Sequence, residues 1–126
     1  SVGLWNYNGT AWVTAGAKEY TVYRATLTQT GTSAPTITLL ENTTGSTVTA
    51  QYDGLGEYSL QFTGTPLTAN KTFITMGSVY ALSTNLPGLI YRRTSTSSVY
   101  INTYDSSVGN DNGMLGETAI EIRIYP

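Results

Sequence analysis

The 126-residue chain contains no cysteine and no histidine. Those two absences remove the Ser-His-Asp triad, the thiol nucleophile, the disulfide scaffold and the His/Cys zinc site, and they leave the redox compartment unmarked. Charge is also scarce, at 11% of residues, where soluble domains typically carry about 25%. The formal net charge is −2, and the longest basic run is Arg92-Arg93. Nucleic-acid binding needs a stripe of cations to neutralise phosphates, and this chain has none. No stretch approaches the roughly 18 apolar residues of a membrane span, and no signal-peptide pattern opens the chain. It begins at Ser1 rather than at a methionine, which reads as a processed or excised piece.

Eight acidic residues keep carboxylate chemistry such as glycoside hydrolysis formally available. Asp53, Glu57 and Glu121, however, fall at turns or at outward strand positions, where solvated carboxylates are ordinary. Neither Lys18 nor Lys71 sits in a Ser-Lys motif, and the glycines of GLGE (Gly54 and Gly56) precede a strand pattern rather than a helix. The expectation is a non-enzyme without cofactor or metal.

Uncharged polar residues fill the place of charge: 23 threonines, 11 serines, 13 glycines and 10 tyrosines. Threonine and tyrosine suit a pleated, half-buried surface, and 40% hydrophobic residues argue against disorder. A surface poor in Lys and Glu also suits life inside an assembly. Alternation of period two recurs along the chain between Gly, Asn, Asp and Pro clusters. From Tyr20 to Gln29, Tyr23, Ala25 and Leu27 share one face, and Arg24, Thr26 and Thr28 the other. In PTITLLEN, Ile37 and Leu39 point one way and Thr36 and Thr38 the other. STVTAQY places Val48, Ala50 and Tyr52 together, and EYSLQF places Tyr58, Leu60 and Phe62. Thr72 to Val79 is interrupted by Gly77; GLIYRRT and SSVYINTYD follow, joined by a turn at Ser95 to Ser98. TAIEIRIY closes the chain with Ile120, Ile122 and Ile124 inward and Glu121, Arg123 and Tyr125 outward.

About seven to nine short strands with regular turn signals predict an all-β fold, an antiparallel β-sandwich of jelly-roll or Ig-like type. No long helix, repeat or second globular domain is expected. Ahead of the sandwich, WNYNGTAW reads as an aromatic hairpin in which Asn8-Gly9 supplies a two-residue type I′ turn. The division expected is therefore an N-terminal hairpin extension over 1–17 and a sandwich over 18–126.

Three sets of residues are candidates for contact. Trp5, Tyr7, Trp12, Tyr91, Tyr100 and Tyr104 could stack on sugar rings or pack between subunits; for a short hairpin, which is marginal alone in water, subunit packing is the stronger reading. In the loop from Tyr104 to Glu117, Asp105, Asn110, Asp111, Asn112 and Glu117 are oxygen donors, but their spacing does not match an EF-hand, and such residues are ordinary turn formers. Arg92 and Arg93 are adjacent on a strand and so face opposite ways. The sequons at Asn8, Asn42 and Asn70 are expected by chance among so many threonines.

YTVYRATLTQTGTSAPTITLLENTTG, then LTANKTF and the terminal IEIRIYP, resemble small β domains of bacteriophage virion proteins, the tail-fibre and head-fibre-like proteins of phages from Bacteroidetes and marine settings. GLWNYNGTAWV is similar to the Trp-ended hairpins of phage fibre and collar proteins. The resemblance covers Tyr20 to Leu40, Asn70 to Phe73 and Thr118 to Pro126, and carries no functional residues across. It implies an extracellular virion domain, a fibre, tail or capsid decoration module that forms homo-oligomers, with trimers favoured. Its partners would be other virion proteins and a host-surface glycan. A carbohydrate-binding, lectin-like module is the alternative, and a pilus-like filament subunit whose terminal strand completes a neighbour is another.

Overall fold

The computed structural model describes residues 19–80 and 86–126 in full, and 5–7 and 12–14 by their backbone pairing. The chain is all-β. A hairpin of β1 (Trp5–Tyr7) and β2 (Trp12–Thr14) precedes β3 (Thr21–Thr28), β4 (Thr36–Asn42), β5 (Val48–Gly54) and β6 (Glu57–Phe62). Then come β7 (Thr72–Met76), β8 (Pro87–Arg93), β9 (Ser98–Asp105), the two-residue β10 (Gly109–Asn110) and β11 (Thr118–Ile124). Nine strands make two antiparallel sheets, one ordered β4-β3-β11-β7 and the other β8-β9-β6-β5, with β10 paired to β9 beyond the end of β6. The edges meet across the gap, β4 with β5 and β7 with β8. The result is a β-sandwich.

Alternation explains which residues go inside. Tyr23, Ala25 and Leu27 of β3 and Ile120, Ile122 and Ile124 of β11 face Tyr58, Leu60 and Phe62 of β6 and Val99 and Ile101 of β9. Each buried Val, Leu, Ile or Phe among them contributes about 1.5–3 kcal/mol relative to exposure, so this cluster is the main cohesive term. Tyr23 meets Phe62 edge-on at 5.4 Å, joining the two layers. Leu67 and Leu115, from connections rather than strands, are buried in the same cluster.

Two local expectations require correction. The hairpin register pairs Tyr7 with Trp12, whereas a two-residue turn at Asn8-Gly9 would pair Tyr7 with Thr10; residues 8–11 themselves lie outside the described residues. The strand expected over Thr72 to Val79 ends at Met76, because Gly77 offers no side chain to hold the pleat. Leu39 lies opposite Ala25 and points toward the core side, yet remains largely exposed. It sits on an edge strand where the sandwich is open, beside a cleft of about 220 Å³ between β4 and β5.

Candidate functional site

The outer face of the four-stranded sheet carries a trough of about 530 Å³. Its floor is shallow because Ala119 of β11 and Gly77 after β7 stand where larger side chains would fill the sheet surface. Phe73 forms one rim. It takes an outward position on β7 (TFITM), where alternation turns Ile74 and Met76 inward, and it is 53% exposed. Leu40 forms the other rim and is 64% exposed. A bulge explains it: Arg24 pairs with Glu41 and Ala25 with Leu39, leaving Leu40 as an extra residue that the ladder does not place.

A row of charge crosses the trough. Arg24 of β3 donates through Nη1 to Glu41 of β4 and through Nε to Glu121 of β11. Register makes this possible, since Glu41, Arg24 and Glu121 are direct cross-strand neighbours. Arg123 Nε also donates to Glu121, at 2.6 Å, and its guanidinium lies 4.9 Å from the centre of the Tyr20 ring. The hydrogen bond from Arg24, followed by those and the charge of Arg123, holds the Glu121 carboxyl below the usual carboxylate range. Arg24 is correspondingly raised, first by its bond to Glu121. All four groups are partly exposed and screened by water, so the pairs add little to stability. The chemical consequence matters more. Two guanidiniums and two carboxylates compensate one another, and the trough offers a partner a neutral lining with apolar rims.

The opposite outer face, on the five-stranded sheet, holds two of the expected tyrosines. Tyr100 and Tyr104 both point outward from β9. Tyr100 donates to Glu57 Oε1 at 3.0 Å and lies 5.8 Å from the Arg92 guanidinium. Burial, more than the Glu57 bond, raises the pKa of its hydroxyl. Tyr104 lies flat on Gly88, its cross-strand partner; a Cβ built there would fall 2.0 Å from the ring. Gln51, Ser59, Gln61 and Ser98 continue this face as a ladder of side-chain hydrogen bonds.

The remaining expected contact residues are dispersed. Tyr91 faces inward and packs against the core, so it shares no surface with Tyr100. Arg92 and Arg93 do face opposite ways, Arg93 reaching the Leu67 carbonyl. Asp105 is buried, and its Oδ1 accepts the amide and hydroxyl of Ser107, a turn-forming use. Asn110 is exposed on β10. Asp111 exchanges two bonds with Thr103 through its own backbone and accepts the Asn112 amide on its carboxylate. Of Trp5, Tyr7 and Trp12 only the pairing is described, Trp5 with Thr14 and Tyr7 with Trp12.

Sequence reading missed the trough residues, although an outward phenylalanine on β7 and an extra leucine in TITLLEN were available signals. No model of a known protein family, no curated protein and no solved structure matches the chain.

Proposed function

We propose that this chain is a non-enzymatic structural domain of an extracellular assembly, a fibre, tail or capsid decoration domain of a phage virion, that associates with copies of itself. The observation that carries the reading is the state of the sheet edges. Monomeric sandwiches commonly blunt their edge strands with lysine, proline or inward charge. On two of the four edges large exposed apolar side chains stand instead, Leu39 and Leu40 on β4 and Phe73 on β7, while β8 combines an exposed Ile90 with Pro87, Arg92 and Arg93, and β5 carries Asp53. The one charge on β4, Glu41, is bound to Arg24, and β7 has none. Such edges are stable when another subunit covers them. The virion setting rests on the sequence resemblance. The terminal strand of a filament subunit would need a free edge to lend, but β11 is paired on both sides, with β3 and β7.

Light scattering across a concentration series tests the association. A mass that is a multiple of the 13.5 kDa protomer is expected, with a trimer favoured; a protomer mass at every concentration would sink the proposal.

One observation favours a second reading, carbohydrate binding. Tyr104 resting on Gly88 has one ring face against the sheet, and a sugar could stack on the other. Binding on a glycan array that is lost in Tyr104→Ala, by a chain that stays monomeric, would put this reading first.

A further inference from the structure

We propose that the trough on the four-stranded sheet is the seat of the Trp5–Thr14 hairpin of a second copy of this chain. The inference rests on the self-association reading and names the segment and surface through which it operates.

The hairpin needs a surface. Its strands are three residues each and, among the described residues, pair with one another alone, and two strands alone are marginal in water. Residues 1–17 include no charged side chain, and the hairpin contains both tryptophans of the protein. An uncharged aromatic segment is unsuited to a charged face. It suits a trough whose ions are already paired, whose rims are Leu40 and Phe73, and whose floor is kept low by Ala119 and Gly77. Arg24 and Arg123 add guanidinium planes on which an indole can lie.

Position supports the match. The hairpin joins the sandwich through residues 15–18, so Thr14 and Glu19 lie at most about 18 Å apart along the extended chain. The link delivers the chain to Glu19 and Tyr20, and the Tyr20 ring lies against Arg123 at one end of the trough. The point where the hairpin attaches is therefore close to the trough of its own copy and to any copy packed against that face. Exchange between copies needs no additional chain. A second copy also explains both rims at once. Leu40 and Phe73 stand on opposite edge strands, three strand spacings apart, about 14 Å, and a neighbour lying across the sheet covers both where a lone two-stranded hairpin would not.

The two tryptophans provide the assay, since their emission, excited at the red edge where the ten tyrosines do not absorb, reports the hairpin. In the full-length oligomer, emission is expected to be blue-shifted and quenching by acrylamide several-fold weaker than for free tryptophan. Ala119→Arg fills the trough from an exposed position; far-UV circular dichroism confirms that it folds. It should red-shift the emission, restore quenching and lower the mass. Trp5→Ala/Trp12→Ala should lower the mass equally. Mixing the two variants is decisive, because Ala119→Arg keeps the hairpin and the double variant keeps an open trough. Mixing should shift the emission back to the blue.

Failure of that shift overturns the proposal. A folded Ala119→Arg protein of unchanged mass and emission also overturns it, while leaving self-association through another surface intact. A wild-type chain that is monomeric with solvent-exposed tryptophans overturns both readings. A monomer whose shielded tryptophans are released by Ala119→Arg means that the hairpin covers its own trough, and it too overturns the second-copy seat.

Discussion

At position 29 a glutamine takes the inward place that the alternation Tyr23, Ala25, Leu27 assigns to an apolar residue, and it is fully buried. Its cost of burial is offset by a complete set of partners. Nε2 donates to the carbonyls of Thr30, Gly31 and Ser33 and so fixes the β3–β4 connection. Oε1 accepts the Tyr58 hydroxyl at 2.8 Å and the Gly113 amide at 2.7 Å. Asn112 extends the network, accepting the Gly56 amide and the Tyr58 hydroxyl and donating to the Tyr52 hydroxyl. Three connections are thus tied to one side chain. Gln29→Ala would leave the Gly113 amide and the β3–β4 connection without their bonds to this side chain and the Tyr58 hydroxyl with only its longer bond to Asn112, and the expected loss is about 3 kcal/mol in urea denaturation. Tyr58→Phe should cost about 1–2 kcal/mol. The double variant should cost less than the sum, because the two side chains share a bond. Additive losses would show that the network does not act as a unit.

At the level of elements, the β5–β6 hairpin shows how a turn fixes its surroundings. Gly56 has φ +67°, and a Cβ there would fall 2.4 Å from the Thr103 carbonyl oxygen and 2.7 Å from the Asp111 amide. Those same atoms bond to each other, and Thr103 donates to the Gly56 carbonyl, so the turn, β9 and the loop after β10 are packed backbone to backbone. Gly31 has a similar φ, +58°, but open space around it. Gly31→Ala should therefore cost about 1–2 kcal/mol for the left-handed backbone alone. Gly56→Ala should cost about 3 kcal/mol or more, because backbone atoms must also move. Thermal unfolding of the two variants measures the difference, and equal losses would refute the close packing of the turn.

The same comparison of local with non-local causes explains what could be read from the sequence. The strands from β3 to β11 were largely legible, since alternation is a property of neighbouring residues; Ile120, Ile122 and Ile124 needed nothing else. The inward glutamine was visible as a position but not as a hub, because its partners Tyr58 and Gly113 lie far along the chain. The trough was illegible as a site. Arg24 and Glu121 are 97 positions apart and meet only because β11 enters the sheet between β3 and β7. The aromatic candidates scattered for a related reason: alternation separates Tyr91 from Tyr100, and only pairing shows that Tyr104 rests on Gly88.

Over the whole molecule, two tyrosines sit at the join between the sheets, and that placement makes stability depend on alkaline pH. Burial raises the Tyr23 hydroxyl from 10.0 to about 12. Burial also raises Tyr58, more than any other influence on it. An unfolded tyrosine loses its proton near pH 10. Below that value both states are protonated, and the full stability is present. Between about pH 10 and 12 the unfolded chain ionises while Tyr23 in the sandwich does not, so unfolding releases a proton and stability falls with rising pH. Two units correspond to a loss of about 3 kcal/mol from Tyr23 by the upper end of that window, with Tyr58 adding in the same direction. Urea midpoints should therefore hold steady up to about pH 9.5 and decline above it, while phenolate absorbance of the folded protein lags behind that of the denatured chain. Tyr23→Phe removes the ionisable group without removing the ring contact with Phe62, and should flatten the decline. A slope unchanged in that variant would place the alkaline sensitivity elsewhere than at this join.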